Sequence, residues 1–134
     1  MSQFAIEERI IDQAHTVSIH GEFVVEHVSE ADSALLRAAS DSRRTLVVSL
    51  TDCEFVDTAA IATLHAAFRR AQGNAGMEIV APRGSQVRGR LERTGLDRVI
   101  PTFDSLRAAL VPASGEASTR TPTQLFAAWG RSPN

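Results

Sequence analysis

The sequence predicts an α/β domain built on a largely parallel, mixed β-sheet, and three observations carry that reading. Residues 45–50 (Thr45-Leu46-Val47-Val48-Ser49-Leu50) are rich in β-branched side chains and apolar on both faces, as a strand covered from two sides is. Residues 58–72 place Ala60, Ile61, Leu64, Ala67, Phe68 and Ala71 within one arc of about 120° at 100° per residue, the stripe of a half-buried helix. Strand-like and helix-like segments alternate along most of the chain, the pattern that buries a sheet beneath helices.

Element by element, Phe4, Ile6, Ile10 and Ile11 form a short apolar run, and Asp12-Gln13-Ala14-His15 reads as a turn. Thr16-Val17-Ser18-Ile19-His20 alternates with period two, so an opening hairpin is predicted, its second strand ended by Gly21-Glu22. Phe23, Val24 and Val25 are too few to assign. Ser29 is an N-cap candidate, with Glu30 and Asp32 acidic near a helix start, and Ala31, Leu35, Ala38 and Ala39 continue a helical stripe to about Ser40. After the strand at 45–50 and the helix at 58–72, Gly73-Asn74-Ala75-Gly76 supplies a C-cap and turn. Met77-Glu78-Ile79-Val80 is a further strand closed by Pro82. Ser85 caps a helix in which Val87 and Leu91 share a face, ending at Thr94-Gly95. Leu96, Val99 and Ile100 are expected to form a final short strand, and Ser105 to Val111 a last short helix.

One domain over residues 1–111 accounts for these elements. Residues 112–134 change to Pro, Ser, Thr, Gly and Ala and read as a flexible tail. Within it the apolar segment at 124–129 places Leu125, Phe126 and Trp129 at i, i+1 and i+4. Two readings are open: the segment folds back on its own domain, or it docks a partner or a second copy in a homodimer.

Composition excludes several function classes. The chain has 134 residues, 43% hydrophobic and 22% charged, enough for one core. All 14 basic residues are arginine. Without lysine there is no P-loop lysine, kinase ATP lysine, Schiff base or Ser-x-x-Lys acylase. A net charge of −2 and the absence of tyrosine argue against a nucleic-acid partner, which needs basic charge and stacking platforms. Cys53 is the single cysteine, so no intramolecular disulfide or multi-cysteine zinc site forms, and its neighbour Glu54 disfavours the thiolate. His15, His20, His27 and His65 lack metal-ligand spacing, and no metal or cofactor is expected. Residues 84–89 (Gly84 to Gly89) do not match the dinucleotide fingerprint. The start of the chain lacks a basic, apolar signal sequence and no stretch is long enough to span a bilayer, so a cytoplasmic protein is expected. No nucleophile, base and orienting group come together, and catalysis is not expected.

The informative stretch is Thr51-Asp52-Cys53-Glu54-Phe55-Val56-Asp57-Thr58, between the 45–50 strand and the 58–72 helix. Loops at such strand ends are where α/β folds place function. Phe55 and Val56 are expected to anchor it in the core, with Asp57 as the N-cap and Thr58 in or next to the first turn. Asp57-Thr58 reads either as plain capping or as a phosphate acceptor, since a helix start tolerates an anion. On the far side of the helix Ala59, Ala62 and Ala66 form a small-residue stripe flanked by Thr63, Arg69 and Arg70: either good helix formers or a flat docking face. Arg83, Arg88, Arg90 and Arg93, with Glu92 and Asp97 nearby, read either as a solvated helix face or as the lining of an acidic partner's contact.

Residues 4 to 110 resemble the STAS domain family of bacterial anti-sigma factor antagonists. The resemblance rests on Ile19-His20-Gly21-Glu22, Leu46-Val47-Val48-Ser49-Leu50, Phe55-Val56-Asp57-Thr58, Glu78-Ile79-Val80, and Val87 through Leu91 to Thr94-Gly95-Leu96, in that order. It implies a mixed sheet of four to five strands with helices mainly on one face. It also implies that Thr58, following Asp57, is phosphorylated by an anti-sigma factor with serine/threonine kinase activity, which the unphosphorylated antagonist binds and the phosphorylated form releases, a serine/threonine phosphatase resetting the cycle. Ala59-Ala60 depart from the family pattern, where a second hydroxyl residue followed by Gly is common. The family also includes unswitched scaffold subunits of stress-signalling complexes and accessory subunits of ABC-type lipid transporters.

Overall fold

A computed structural model describes residues 3–110; the expectations for 112–134 lie outside the described residues. In chain order the elements are β1 (Ala5–Ile11), β2 (Ala14–Phe23), a 3-10 turn (Val25–His27), α1 (Val28–Ala39), β3 (Thr45–Ser49), β4 (Cys53–Val56), α2 (Thr58–Gln72), β5 (Met77–Val80), α3 (Gln86–Thr94), α4 (Leu96–Val99), β6 (Thr102–Phe103) and α5 (Leu106–Leu110). The described strands form one six-stranded sheet in the order β1-β2-β3-β5-β6, with β4 also paired to β2. β1 runs antiparallel to β2 and the other pairings are parallel, so the mixed sheet holds.

The two faces of the sheet differ in what covers them. Val17, Ile19, Leu46, Val48, Met77 and Ile79 point to the first face, where they join Leu35 of α1, Leu64 of α2, Leu91 of α3 and Leu96 of α4 in the main core. The alternate residues Ala14, Val47 and Val80 point to the second and join Ala109 of α5 in a smaller cluster. Period-two alternation thus feeds two cores from the same strands.

Several elements differ from expectation: residues 53–56 of the expected 51–58 loop form β4, and α1 begins at Val28 with His27, not Ser29, at its N-cap. The hairpin turn is Asp12-Gln13 alone, and Ala14 and His15 already pair with Ile11 and Ile10. β2 does not end at Gly21-Glu22 but continues to Phe23, because its last three residues find a new partner in β4. The register there jumps from Gly21↔Cys53 to Glu22↔Phe55, leaving Glu54 as the extra residue of a bulge. Gly21 takes φ +84°, and a Cβ would lie 2.9 Å from the Gln3 carbonyl oxygen, so this position requires glycine twice over. Leu96, Val99 and Ile100 do not form a strand. Their i, i+3, i+4 spacing is helical, Leu96 and Ile100 are buried, and the edge strand comes two residues later as β6.

Candidate functional site

The start of α2 is built by strand pairing. Glu22↔Phe55 and Phe23↔Val56 hold β4 against the end of β2, and Val56 is fully buried. Phe55 is only half-buried, so of the two expected loop anchors Val56 alone enters the core. The chain then turns at Asp57, whose extended backbone and side chain cap α2. Asp57 Oδ1 accepts the Ala60 N–H at 2.9 Å and Oδ2 accepts the Val25 N–H at 2.9 Å. One carboxylate therefore satisfies a helix-end donor and also ties the 3-10 turn after β2 to the same spot.

Thr58 is the first residue of α2 and is exposed. Arg90 of α3 donates from Nη2 to Thr58 Oγ1 at 3.4 Å, and its Cζ lies 5.9 Å from the centre of the Phe55 ring. The Arg90 Nε is buried with no hydrogen-bond partner among the described residues. A guanidinium steadied on an aromatic face beside an exposed hydroxyl, at the positive end of a helix, is an arrangement that favours an anion on that hydroxyl.

Along α2, Ala62, Ala66, Arg69 and Arg70 are exposed with Thr58, and Ala59 is half-buried. Thr63 is the exception. It is 7% exposed, its hydroxyl donating to the Ala59 carbonyl at 2.9 Å, so it belongs to the buried side and not to the docking face.

The arginines of α3 also divide. Arg88 is buried instead of solvated, its Nη1 donating to the Ala81 carbonyl at 2.7 Å and to Asp104 Oδ1 at 3.0 Å. Arg90 was missed as a neighbour of Thr58 because nothing in the spacing of α3 shows which helix it will face. Cys53 is buried, and burial, with Glu54 adding repulsion, pushes its thiol up to about 11, so it stays protonated. His15 and His20 sit on β2 between carboxylates, His15 facing Glu8 and Asp41 and His20 facing Glu7 and Asp52. His27 stacks on Phe4 with ring centres 4.1 Å apart.

The mixed sheet with α1–α4 on one face and a capped, exposed helix start beside β4 defines a known architecture, and the STAS domain model matches residues 5–109. The chain belongs to the STAS domain family. A crystal structure of an anti-sigma factor antagonist from Mycobacterium paratuberculosis matches with a TM-score of 0.74 and 25% identity, over 81% of this chain and 92% of that one. The Bacillus cell fate determinant SpoIIAA in its phosphorylated form shares the fold (TM-score 0.57, 15% identity, 81% of this chain and 96% of that one). So does a sulfate transporter family protein from Wolinella succinogenes (TM-score 0.66, 15% identity, 83% and 93%). A comparison with curated proteins gave no match. No helix among the described residues is long and apolar enough to cross a membrane.

Proposed function

We propose that this STAS domain is an anti-sigma factor antagonist that binds an anti-sigma factor with serine/threonine kinase activity and is released from it when Thr58 is phosphorylated. The observation that carries the reading is the exposed Thr58 hydroxyl at the first position of α2, beside a capping Asp57 whose two oxygens are already engaged. A phosphate there adds roughly −1.5 to −2 charges to the surface without entering the core. Arg90 stands ready as its cation. The likeness to the Mycobacterium antagonist, and to SpoIIAA in a phosphorylated form, supports the same role.

The partner surface is Asp57, Thr58, Ala59, Ala62, Ala66, Arg69 and Arg70. Ala62 and Ala66 let a partner's backbone approach closely, and the two arginines at the far end attract an acidic patch. The protein acts as substrate and binding module, and a phosphatase resets it.

The test is a pull-down and phosphorylation assay with an anti-sigma factor of the serine/threonine kinase type from the same organism. Thr58→Ala is expected to hold the kinase and take no phosphate. Thr58→Glu is expected to lose binding at least about tenfold, about 1.4 kcal/mol, with the melting temperature little changed. Equal retention of both variants removes the switch. The likeness to a transporter family protein favours a second reading, an unswitched accessory subunit that uses the same helix. That reading predicts equal retention and no phosphate on Thr58.

A further inference from the structure

On the second face of the sheet, α5 packs against β5 and β6. Beside it runs a groove of about 310 Å³. Ala14 and Val47 form its floor, Ile11 and Leu110 its walls, and Gln13 and Glu78 lie on its rim. An apolar cavity of about 150 Å³ accepts a benzene ring, so this groove has room for an indole and part of a second large side chain.

We propose that the groove is the seat of the chain's own Trp129, with the adjoining Leu125-Phe126 packed in part against its edge. Three features of the molecule point to this occupant over any other. The chain leaves the described domain at Leu110, which is itself a wall of the groove, so the segment starts beside its seat. Residues 111–124 separate Leu110 from Leu125, and at about 3.3 Å per residue they span up to roughly 45 Å, ample for a return. Leu125, Phe126 and Trp129 are large apolar side chains clustered in a stretch otherwise dominated by Ser, Thr, Pro and small residues. A ligand on such a tether meets its groove at an effective concentration on the order of millimolar, far above that of a second copy at ordinary protein concentrations. An indole also brings one N–H donor, which the polar rim can accept while the rings take the apolar floor.

The seat is on the opposite face from α2. Occupancy therefore leaves Thr58 and the arginine end of α2 open, and the segment acts as a clasp on the domain, not a cover over the partner surface.

Trp129 is the chain's single tryptophan and there is no tyrosine, so intrinsic emission excited at the indole band reads this one side chain. In the full chain the emission is expected to be blue-shifted and protected from acrylamide, at a position that does not change with protein concentration. Ile11→Glu and Leu110→Glu, both at half-buried wall positions, are expected to move it to the position of the urea-unfolded chain with the far-ultraviolet circular dichroism retained. In the reverse direction, full-length Trp129→Ala is expected to shift the amide resonances of Ile11, Ala14 and Val47 and leave those of Thr58 and Ala62 in place. That variant alters nothing within the described domain, so the measurement stands even where a groove variant fails to fold. Water-like emission in the full chain, a shift that grows with concentration, or unmoved groove amides in Trp129→Ala overturns the proposal. The second of those outcomes assigns the groove to another copy.

Discussion

The neighbouring helices α1 and α2 pack side by side on the same face, yet they are fastened at opposite ends. α2 is tied at its start, where Asp57 caps the helix and holds the Val25 N–H across from β2. α1 has no side-chain cap at its start; His27 occupies the N-cap position and the 3-10 turn leads straight in. Its tie is at the last turn, where Arg37 Nη2 meets Glu8 Oε2 of β1 at 2.6 Å. A fastening made of two backbone donors, the buried Ala60 N–H and the exposed Val25 N–H, on one carboxylate fixes a position closely. A charge pair with its arginine 63% exposed fixes it loosely and is weakened by salt. The helix that carries the proposed switch has the closer fastening, as a presented hydroxyl needs a fixed address.

Breaking the α2 fastening is expected to have the largest effect on stability. Asp57→Ala removes the acceptor of the Ala60 N–H and gives the exposed Val25 N–H back to water, for a loss of about 2 kcal/mol by chemical denaturation. It should also weaken capture of the kinase, because the turn before Thr58 loosens. Asp57→Asn keeps one accepting oxygen for Ala60 and sacrifices the Val25 bond, so a loss of about 1 kcal/mol is expected. Amide exchange should then quicken at Val25 more than at Ala60.

The α1 fastening is sharpened by pH. Burial raises the Glu8 carboxyl, but the hydrogen bonds from His15 and Arg37 outweigh it and hold the group below its ordinary 4.5. The folded state thus binds the Glu8 proton less readily than the unfolded chain does. The stabilisation is present above about 4.5 and is lost as pH falls through the lowered folded value. Thermal melts of Glu8→Gln should accordingly fall less steeply on acidification than those of the parent chain, and converge with them at low pH. The smallest effect is expected at Ser29. It lies inside α1 and does not cap it, so Ser29→Ala should stay within about 0.5 kcal/mol of the parent. A loss near 1 kcal/mol would mean that α1 begins two residues later than described.

How far the sequence could be read follows from the length of each pattern. α2 and α3 carry two or more turns of apolar periodicity with a capping residue ahead, and their extents match expectation to the residue. β3 and β5 stand out because their β-branched runs are buried on both faces. β4 and β6 have four and two residues, too few to show alternation, and their pairing is decided by β2 and β5. Ser29 offered good capping chemistry two residues past the N-cap position at His27, since the 3-10 turn had already started the helix. Thr63 and Arg88 are polar residues whose burial depends on a carbonyl or carboxylate brought close by folding. The Asp57-Thr58 pair was legible because capping is local. Its companions Val25 and Arg90 were not, as each lies 32 residues from its partner.

The bulge at Gly21 carries a consequence for recognition at a distance. Glu22 and Phe23 set the register of Phe55 and Val56, and the next two residues are Asp57 and Thr58. Introducing even a methyl group at position 21 presses on the Gln3 carbonyl and on a backbone angle that only glycine adopts comfortably. Relief by a slip of one step would exchange which of Phe55 and Val56 looks inward, carrying the hydroxyl of Thr58 away from Arg90. Position 21, outside the proposed partner surface, is thus expected to govern at a distance how Thr58 is presented.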